Sequence, residues 1–441
     1  MQRLIMADLI RWKEQKNRIP LILKGVRQCG KTYVLKEFGT SHFPRMHYFN
    51  FEQDNRLAPI FEGPLDPKKL LFELSLLINM DINHETDFIF FDEIQTCPRA
   101  LTSLKYFCED LPQAAVCGAG SLLGLHLNVQ SFPVGKVQFL TLHPMSFTEF
   151  LLAIGQQKLF DFLHTLIPET SEVPLSIHQT CWEFLKKYFV IGGMPSAVKI
   201  YVDLQDSPYE ALQKVRDKQL DLITAYQADI AKHAGKVNAM HIDRVWRDVP
   251  AQLARAQDGS AQKFKFKGIL PGIDRYQRLA DTIDWLCAAQ LVIKVPVVDT
   301  ARIPLPAYVK ENTFKLYMMD VGLLGAMSQL PVKAILDQDY GSYKGYFAEN
   351  YVAQALLSAG SQGLYGWADG RSEVEFLQLD NADIIPIEVK SGNVTRAKSL
   401  QIYAEKYQPP YQIIFSAKPP SLQGDFVRHY PLYFAEIIKF A

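Results

Sequence analysis

Gly25-Val26-Arg27-Gln28-Cys29-Gly30-Lys31-Thr32 is the stretch whose reading decides the fold. It satisfies G-x-x-x-x-G-K-[ST], a loop whose glycines let backbone N–H groups close around a triphosphate. Lys31 can reach the outer phosphate oxygens, and the Thr32 hydroxyl can enter the shell of a Mg²⁺ ion. The flanks agree. Ile19-Pro20-Leu21-Ile22-Leu23 reads as a buried strand and Tyr33-Val34-Leu35-Lys36-Glu37-Phe38 as a helix, the strand–loop–helix context that the motif needs. Gly25, Val26, Arg27, Gln28, Cys29, Gly30, Lys31, Thr32 and Tyr33 are therefore the expected ATP contacts.

Downstream, Phe88-Ile89-Phe90-Phe91 is a short apolar run of the kind buried in parallel sheets, and it ends in Asp92-Glu93. Ligands of open α/β sheets lie at the carboxyl ends of strands. Asp92 is expected to hold Mg²⁺ together with Thr32, while Glu93 orients or deprotonates the attacking water. Three more strands are expected, over 46–52, 114–121 and 136–142. The strand over 114–121 ends in Ser121, which reads either as a sensor of the terminal phosphate or as part of a plain Gly-Ser turn. Catalytic roles fall to Lys31, Glu93 and Ser121. Together these segments predict an α/β domain with a parallel sheet over residues 1–155.

Lys+Arg and Asp+Glu both number 47, so no global field draws the chain toward nucleic acid or a membrane, and any such contact must be a local patch. The six cysteines contain no C-x-x-C pair, which fits a reduced, cytoplasmic setting better than a disulfide framework or a zinc site. Residues 1–8 open an amphipathic helix, and no apolar run is long enough to span a bilayer.

Residues 156–238 read as helical. Apolar residues recur at three and four spacing over 181–189, and Gly192-Gly193-Met194-Pro195 is a stop. Residues 239–330 read as a winged helix: an amphipathic helix over 275–286, then strands over 291–298 and 314–319. Lys263-Phe264-Lys265-Phe266-Lys267 puts three lysines on one face of an extended segment. That face is either a strip for DNA phosphates or a solvated edge strand.

Residues 331–441 carry acids at strand spacing. A helix over 345–352 bears Glu349 on an otherwise apolar face. Strands over 372–377 and 384–390 follow, in which Glu388-x-Lys390 share one face with Glu375 alongside. This resembles the PD-(D/E)xK nuclease core, a restriction-endonuclease-like α/β fold. The resemblance implies Glu375 and Glu388 as metal ligands, Lys390 beside the nucleophilic water and Glu349 on the leading helix. The first acid of that core is usually Asp, and Glu375 is one methylene longer.

Taken together, the chain resembles a prokaryotic family of AAA-type ATPases with a C-terminal domain of unknown function. The resemblance rests on residues 23–32, on Phe91-Asp92-Glu93-Ile94-Gln95, on Leu140-Thr141-Leu142-His143-Pro144-Met145-Ser146-Phe147-Thr148-Glu149-Phe150, on Gly192-Gly193-Met194-Pro195, on Lys315-Leu316-Tyr317-Met318-Met319-Asp320-Val321-Gly322-Leu323-Leu324 and on Ile387-Glu388-Val389-Lys390. Where the family has Gly-Arg, this chain has Gly135-Lys136, which keeps the charge but loses the planar fork of an arginine finger. The resemblance implies an ATPase; ATP and Mg²⁺ are the expected ligands, DNA and further copies of the chain are the candidate partners, and no membrane is expected. Two readings stand: an ATP-driven machine acting on DNA, or a signalling ATPase whose nuclease-like module binds a protein.

Overall fold

The computed structural model describes residues 1–121, 135–255, 264–266, 268–270, 276–341, 343–393, 397–423 and 426–440. They form two compact units, Met1–His143 with Ala288–Gln290, and Pro144–Cys287 with the remainder.

The first unit opens with α1 (Met6–Lys13), which buries Leu9 and Trp12, followed by β1 (Leu21–Lys24) and α2 (Lys31–His42). Then come β2 (Met46–Asn50), the single turn α3 (Leu57–Ile60), α4 (Pro67–Ile78), β3 (Phe88–Asp92), α5 (Pro98–Asp110), β4 (Ala115–Ala119) and β5 (Gln138–Thr141). All five strands are parallel, in the order β2-β3-β4-β1-β5. Every residue of β3 and β4 is buried, which is why they are written in Phe, Ile, Val, Ala and Cys without alternation. Asp66 starts α4 by accepting the amides of Lys68 and Lys69, with Pro67 at the first helical position. All six cysteines are free thiols.

The second unit begins at Pro144, about a dozen residues before the expected boundary at 155. The reason is a set of contacts distant in sequence. The Met145 amide donates to the Gly193 carbonyl at 2.6 Å, and the Tyr188 hydroxyl donates to the Met145 carbonyl at 2.6 Å. Helix α6 (Phe147–Ala153) has a capping box between Ser146 and Glu149, and the Glu436 carboxylate accepts the amides of Phe147 and Thr148. Helices α7 (Gln157–Thr165), α8 (Leu175–Ile191), α9 (Pro195–Asp203), α10 (Pro208–His233), α11 (Lys236–Arg255) and α12 (Ala280–Ala288) follow. Then come β6 (Val292–Val298), β7 (Val309–Met318), α13 (Val321–Met327), α14 (Val332–Leu336) and α15 (Tyr343–Ser358). The chain continues through β8 (Tyr365–Asp369), β9 (Ser372–Asp380), β10 (Asp383–Val389), α16 (Lys398–Tyr407), β11 (Gln412–Ser416), β12 (Ser421–Gln423) and β13 (Val427–Pro431). No described helix is long and apolar enough to cross a membrane.

One eight-stranded sheet, in the order β12-β13-β11-β10-β9-β8-β6-β7, runs through this unit. It corrects the winged-helix expectation over 239–330. The β6–β7 hairpin is present, but β6 also pairs in parallel with β8, Val297 with Gly366 and Val298 with Trp367, so it is the end of the C-terminal sheet rather than a free wing. The expected helix over 275–286 is shorter and starts at Ala280; Arg275 lies outside the described residues.

Asp320 ties the hub of this unit together. It accepts the Gly193 amide at 2.6 Å and the Leu323 amide at 2.9 Å, and its oxygens fill the space where a side chain at Gly192 would begin. Burial pushes Asp320 up to about 6, against the amides of Gly193, Leu323 and Gly322. Burial likewise pushes Glu436 from 4.5 to about 7, against the amides of Thr148 and Phe147. The folded chain holds these protons more tightly than the unfolded chain does. Their contribution is fully present below the unfolded value and is lost as pH rises through the folded one. Urea midpoints should therefore fall between pH 4.5 and pH 7, and Glu436→Gln should remove part of that slope. Identical slopes in wild type and variant would show that Glu436 titrates as an ordinary surface acid.

Candidate active site

The loop between β1 and α2 turns on two glycines. Gly30 has φ 98°, the left-handed region that an L side chain avoids, and it caps α2. A Cβ at Gly25 would lie 2.5 Å from the Leu142 carbonyl oxygen, so only hydrogen fits where the loop passes the residue after β5. The first turn of α2 carries no acid, which leaves its N–H groups and dipole open to an anion. Lys31 is buried, and its ammonium donates to the carbonyls of Gly25 at 2.8 Å and Val26 at 2.9 Å. The Arg3 guanidinium braces the loop from outside, donating to the Cys29 carbonyl at 2.9 Å and the His143 carbonyl at 2.7 Å. Burial, with Arg3 beside it, holds the His143 imidazole down to about 4.

Asp92, at the end of β3, meets the loop through the Thr32 hydroxyl, which donates to its Oδ2 at 2.9 Å. The Tyr48 hydroxyl donates to the same oxygen at 2.9 Å and accepts from Asn50 Nδ2 at 3.0 Å. Burial, with the charges of Asp92 and Glu93 adding to it, raises the Tyr48 phenol to about 12, and the Lys36 ammonium lies 3.7 Å from its ring centroid. Glu93 stands in the left-handed region at φ 50°, its amide on Asp92 Oδ1 at 3.1 Å and its carboxylate accepting from Gln95 Nε2 at 2.5 Å. Ser121 is buried just beyond β4, the strand that lies between β1 and β3. Lys136 pairs with Glu109 at 3.3 Å.

These groups suit a Mg²⁺–nucleotide. Thr32 and Asp92 offer hard oxygens 2.9 Å apart, and the loop offers N–H groups and an ammonium for phosphates. Tyr48, Asn50 and the Glu93–Gln95 bond were missed by sequence reasoning. Alternation along β2 places Tyr48 and Asn50 on one face, but only the strand order reveals that the face looks at Asp92.

In the second unit, the register that pairs Ile387 with Phe376 brings Glu388 beside Glu375. Glu349 joins them, buried on α15. Three residues absent from the sequence-based site, Lys315, Glu373 and Tyr317, join as well. Lys315 of β7 has a side chain 4% exposed, pairs with Glu373 and lies 3.6 Å from Glu349 Oε2. Lys390 pairs with Glu388, the Tyr317 hydroxyl donates to Glu349 Oε2 at 2.9 Å, and the Val389 amide donates to Glu375 Oε2 at 3.3 Å. Burial, then the Glu388 and Glu349 charges, push Glu375 well above the usual carboxylate range. Burial works against charge on Lys315, but Glu373 first, then Tyr317 and Glu349, hold it well above the usual lysine value. A divalent metal needs several oxygens converging on one point, and among the described residues no three acid, His or Cys side chains do so. The expected metal site at Glu375 and Glu388 thus has its residues together, with Glu375 Oε2 on the Val389 amide, Glu388 Oε1 on Lys390 and Glu388 Oε2 buried without a hydrogen-bond partner.

Of the lysine strip, Lys263 and Lys267 lie outside the described residues. Lys265 is exposed; its amide and carbonyl are clamped by the Gln252 side chain at 2.7 Å each, while Phe264 stacks on Phe314.

The strand order β2-β3-β4-β1-β5, with a phosphate loop after β1 and an acidic pair after β3, defines the class of P-loop ATPase folds. Residues 17–151 match the family model of an AAA domain. Residues 183–334 match a domain of unknown function (DUF8612) and residues 344–433 another (DUF4143). No curated protein matches the chain. Among solved structures, the Walker-type ATPase PABY2304 of Pyrococcus abyssi is 13% identical, with a TM-score of 0.46 over 74% of this chain and 95% of that one. Aeropyrum pernix ORC1 in complex with DNA is 14% identical, with a TM-score of 0.29 over 76% and 95%. A Thermotoga maritima RuvB is 13% identical, with a TM-score of 0.31 over 69% and 90%.

Tyr48→Phe removes one of the two hydroxyls on Asp92 Oδ2 and leaves the ring in place. It should weaken Mg²⁺-dependent ATP binding by about tenfold, the usual scale for a hydrogen bond to a charged group. Calorimetry with and without Mg²⁺ measures this; equal affinities would mean that Tyr48 only packs.

Proposed function

We propose that this chain hydrolyses ATP and uses the cycle as a conformational switch. The observation that carries the reading is the convergence of Lys31 and Thr32, Ser121, and Asp92 and Glu93 at the carboxyl ends of three adjacent parallel strands, with Thr32 bonded to Asp92. The loop amides and Lys31 hold the phosphates once the ammonium leaves the Gly25 and Val26 carbonyls. Thr32 and Asp92 hold Mg²⁺, which when bound offsets phosphate charge. Glu93 orients or deprotonates water, and Ser121 faces the terminal phosphate. Release of Glu93 from Gln95 is part of reaching the active arrangement.

Glu93→Gln should bind ATP like wild type yet turn it over on the order of 100-fold more slowly, because it keeps the shape and loses the base. Lys31→Ala should lose tight binding altogether. Wild-type turnover by Glu93→Gln in a phosphate-release assay would place the base elsewhere, and unchanged affinity in Lys31→Ala would sink the loop assignment.

Two settings for that switch remain. Action on DNA rests on the lysine run around exposed Lys265. A signalling role, with the nuclease-like module binding a protein, is favoured by the internally ion-paired acid cluster. Turnover stimulated by duplex DNA, and lost on neutralising Lys263, Lys265 and Lys267 together, would decide for the first. Indifference to DNA would decide for the second.

A further inference from the structure

The C-terminal cluster contains the acids and the lysine of a metal-dependent nuclease core, and in Lys315 one cation more than that core requires. We propose that the Lys315 ammonium is the resident cation of this cluster, standing where a divalent metal would otherwise stand, so that the module folds and works without metal and does not cut nucleic acid. The proposal deepens the signalling reading given above, in which the module binds a protein, and rests on it.

The argument is an accounting of oxygens. Glu349 Oε2 receives the Tyr317 hydroxyl at 2.9 Å and faces the Lys315 ammonium at 3.6 Å, so one strand, β7, sends two side chains to the oxygen of the leading helix. Glu373 pairs with Lys315. Glu388 pairs with Lys390 through Oε1, and its Oε2 is buried with no hydrogen-bond partner. Glu375 accepts the Val389 amide. The cluster therefore has two ammonium groups among four carboxylates without any ion from solution. A metal standing in the place of Lys315 would displace a buried, paired lysine, which leaves an uncompensated charge behind. A single ammonium also lacks the open coordination positions by which a divalent ion activates water.

Sheet topology gives the substitution its route. β7 reaches the cluster because β6 pairs with β8, the join that also removes the hairpin from a winged-helix role. Lys315 and Tyr317 are two apart on β7 and share a face, and both side chains are buried.

The test uses the full chain without nucleotide, titrated with Mn²⁺ or Mg²⁺ by calorimetry and by thermal unfolding. Wild type should show no saturable uptake and no shift in Tm. Lys315→Met should unfold several degrees lower, and Mn²⁺ should recover part of that loss by replacing the missing cation. If Lys315→Met does not fold, the pair-neutral variant Lys315→Met with Glu373→Gln decides: it should fold, with a Tm nearer wild type and unmoved by Mn²⁺. Saturable Mn²⁺ binding by wild type that Glu388→Gln abolishes would overturn the proposal, as would plasmid nicking lost in the same variant. Failure of the double variant to regain stability would overturn it too. ATP turnover by the same preparations reports only on the P-loop reading; its absence beside metal indifference would sink that reading and leave this one standing.

Discussion

Leu23, Ala119 and Asp92 stand side by side in three parallel strands, because Ala119 is the register partner of both the others. The candidate site depends on that alignment. The loop leaves β1 just beyond Leu23, the acidic pair closes β3, and Ser121 leaves β4 between them. A slip of one residue in any of the three would turn alternate side chains to the opposite face and separate Thr32 from Asp92. The small residues Gly118, Ala119 and Gly120 keep the middle strand slim there, and Ile94 packs against Gly118 within 3.4 Å of where a Cβ would sit.

The second unit rests on a different kind of constraint, a buried polar hub drawn from remote segments. Tyr188 donates to Met145 and accepts from Gln354, whose carbonyl accepts the Val321 amide. Gln219 donates to the carbonyls of Val190 and Ile191, while Asp320 holds Gly193 and the first turn of α13. Apart from the local Asp320–Leu323 bond and Gln219 Oε1, which has no hydrogen-bond partner, these bonds join segments far apart along the chain, so the hub forms as a unit. Several of the short motifs behind the family resemblance, His143-Pro144-Met145-Ser146-Phe147, Gly192-Gly193-Met194-Pro195 and Asp320-Val321-Gly322, meet here as structure.

The parallel sheet and the phosphate loop were legible in the sequence because their signals are local: an apolar run, a glycine spacing, a helix period. Glu375 and Glu388 lie side by side because strand alternation and hairpin pairing are short-range geometry that the sequence records. Lys315 was invisible as a member of that cluster. It lies 60 residues before Glu375, on a hairpin whose partner in the sheet is set by a parallel crossover that no periodicity records. Tyr48 was hidden for the same reason, since its partner Asp92 stands on a neighbouring strand 44 residues away. Helix α6 reads in sequence like one more helix of the sheet domain, and its bonds to the second unit come from Gly193, Tyr188 and Glu436, which no local pattern records.

Helix α6 carries a consequence for how the chain is made. Its two free N-terminal amides are met by Glu436, which follows Phe147 by 289 residues. A ribosome adding about 5–20 residues per second delivers that carboxylate roughly 15–60 seconds after the helix has emerged. Through that interval the nascent helix has its local capping box but not its remote clasp. The sheet domain before it has every strand in hand, so it can close first. The clasp makes the fastening of the second unit wait on residues synthesised long after α6.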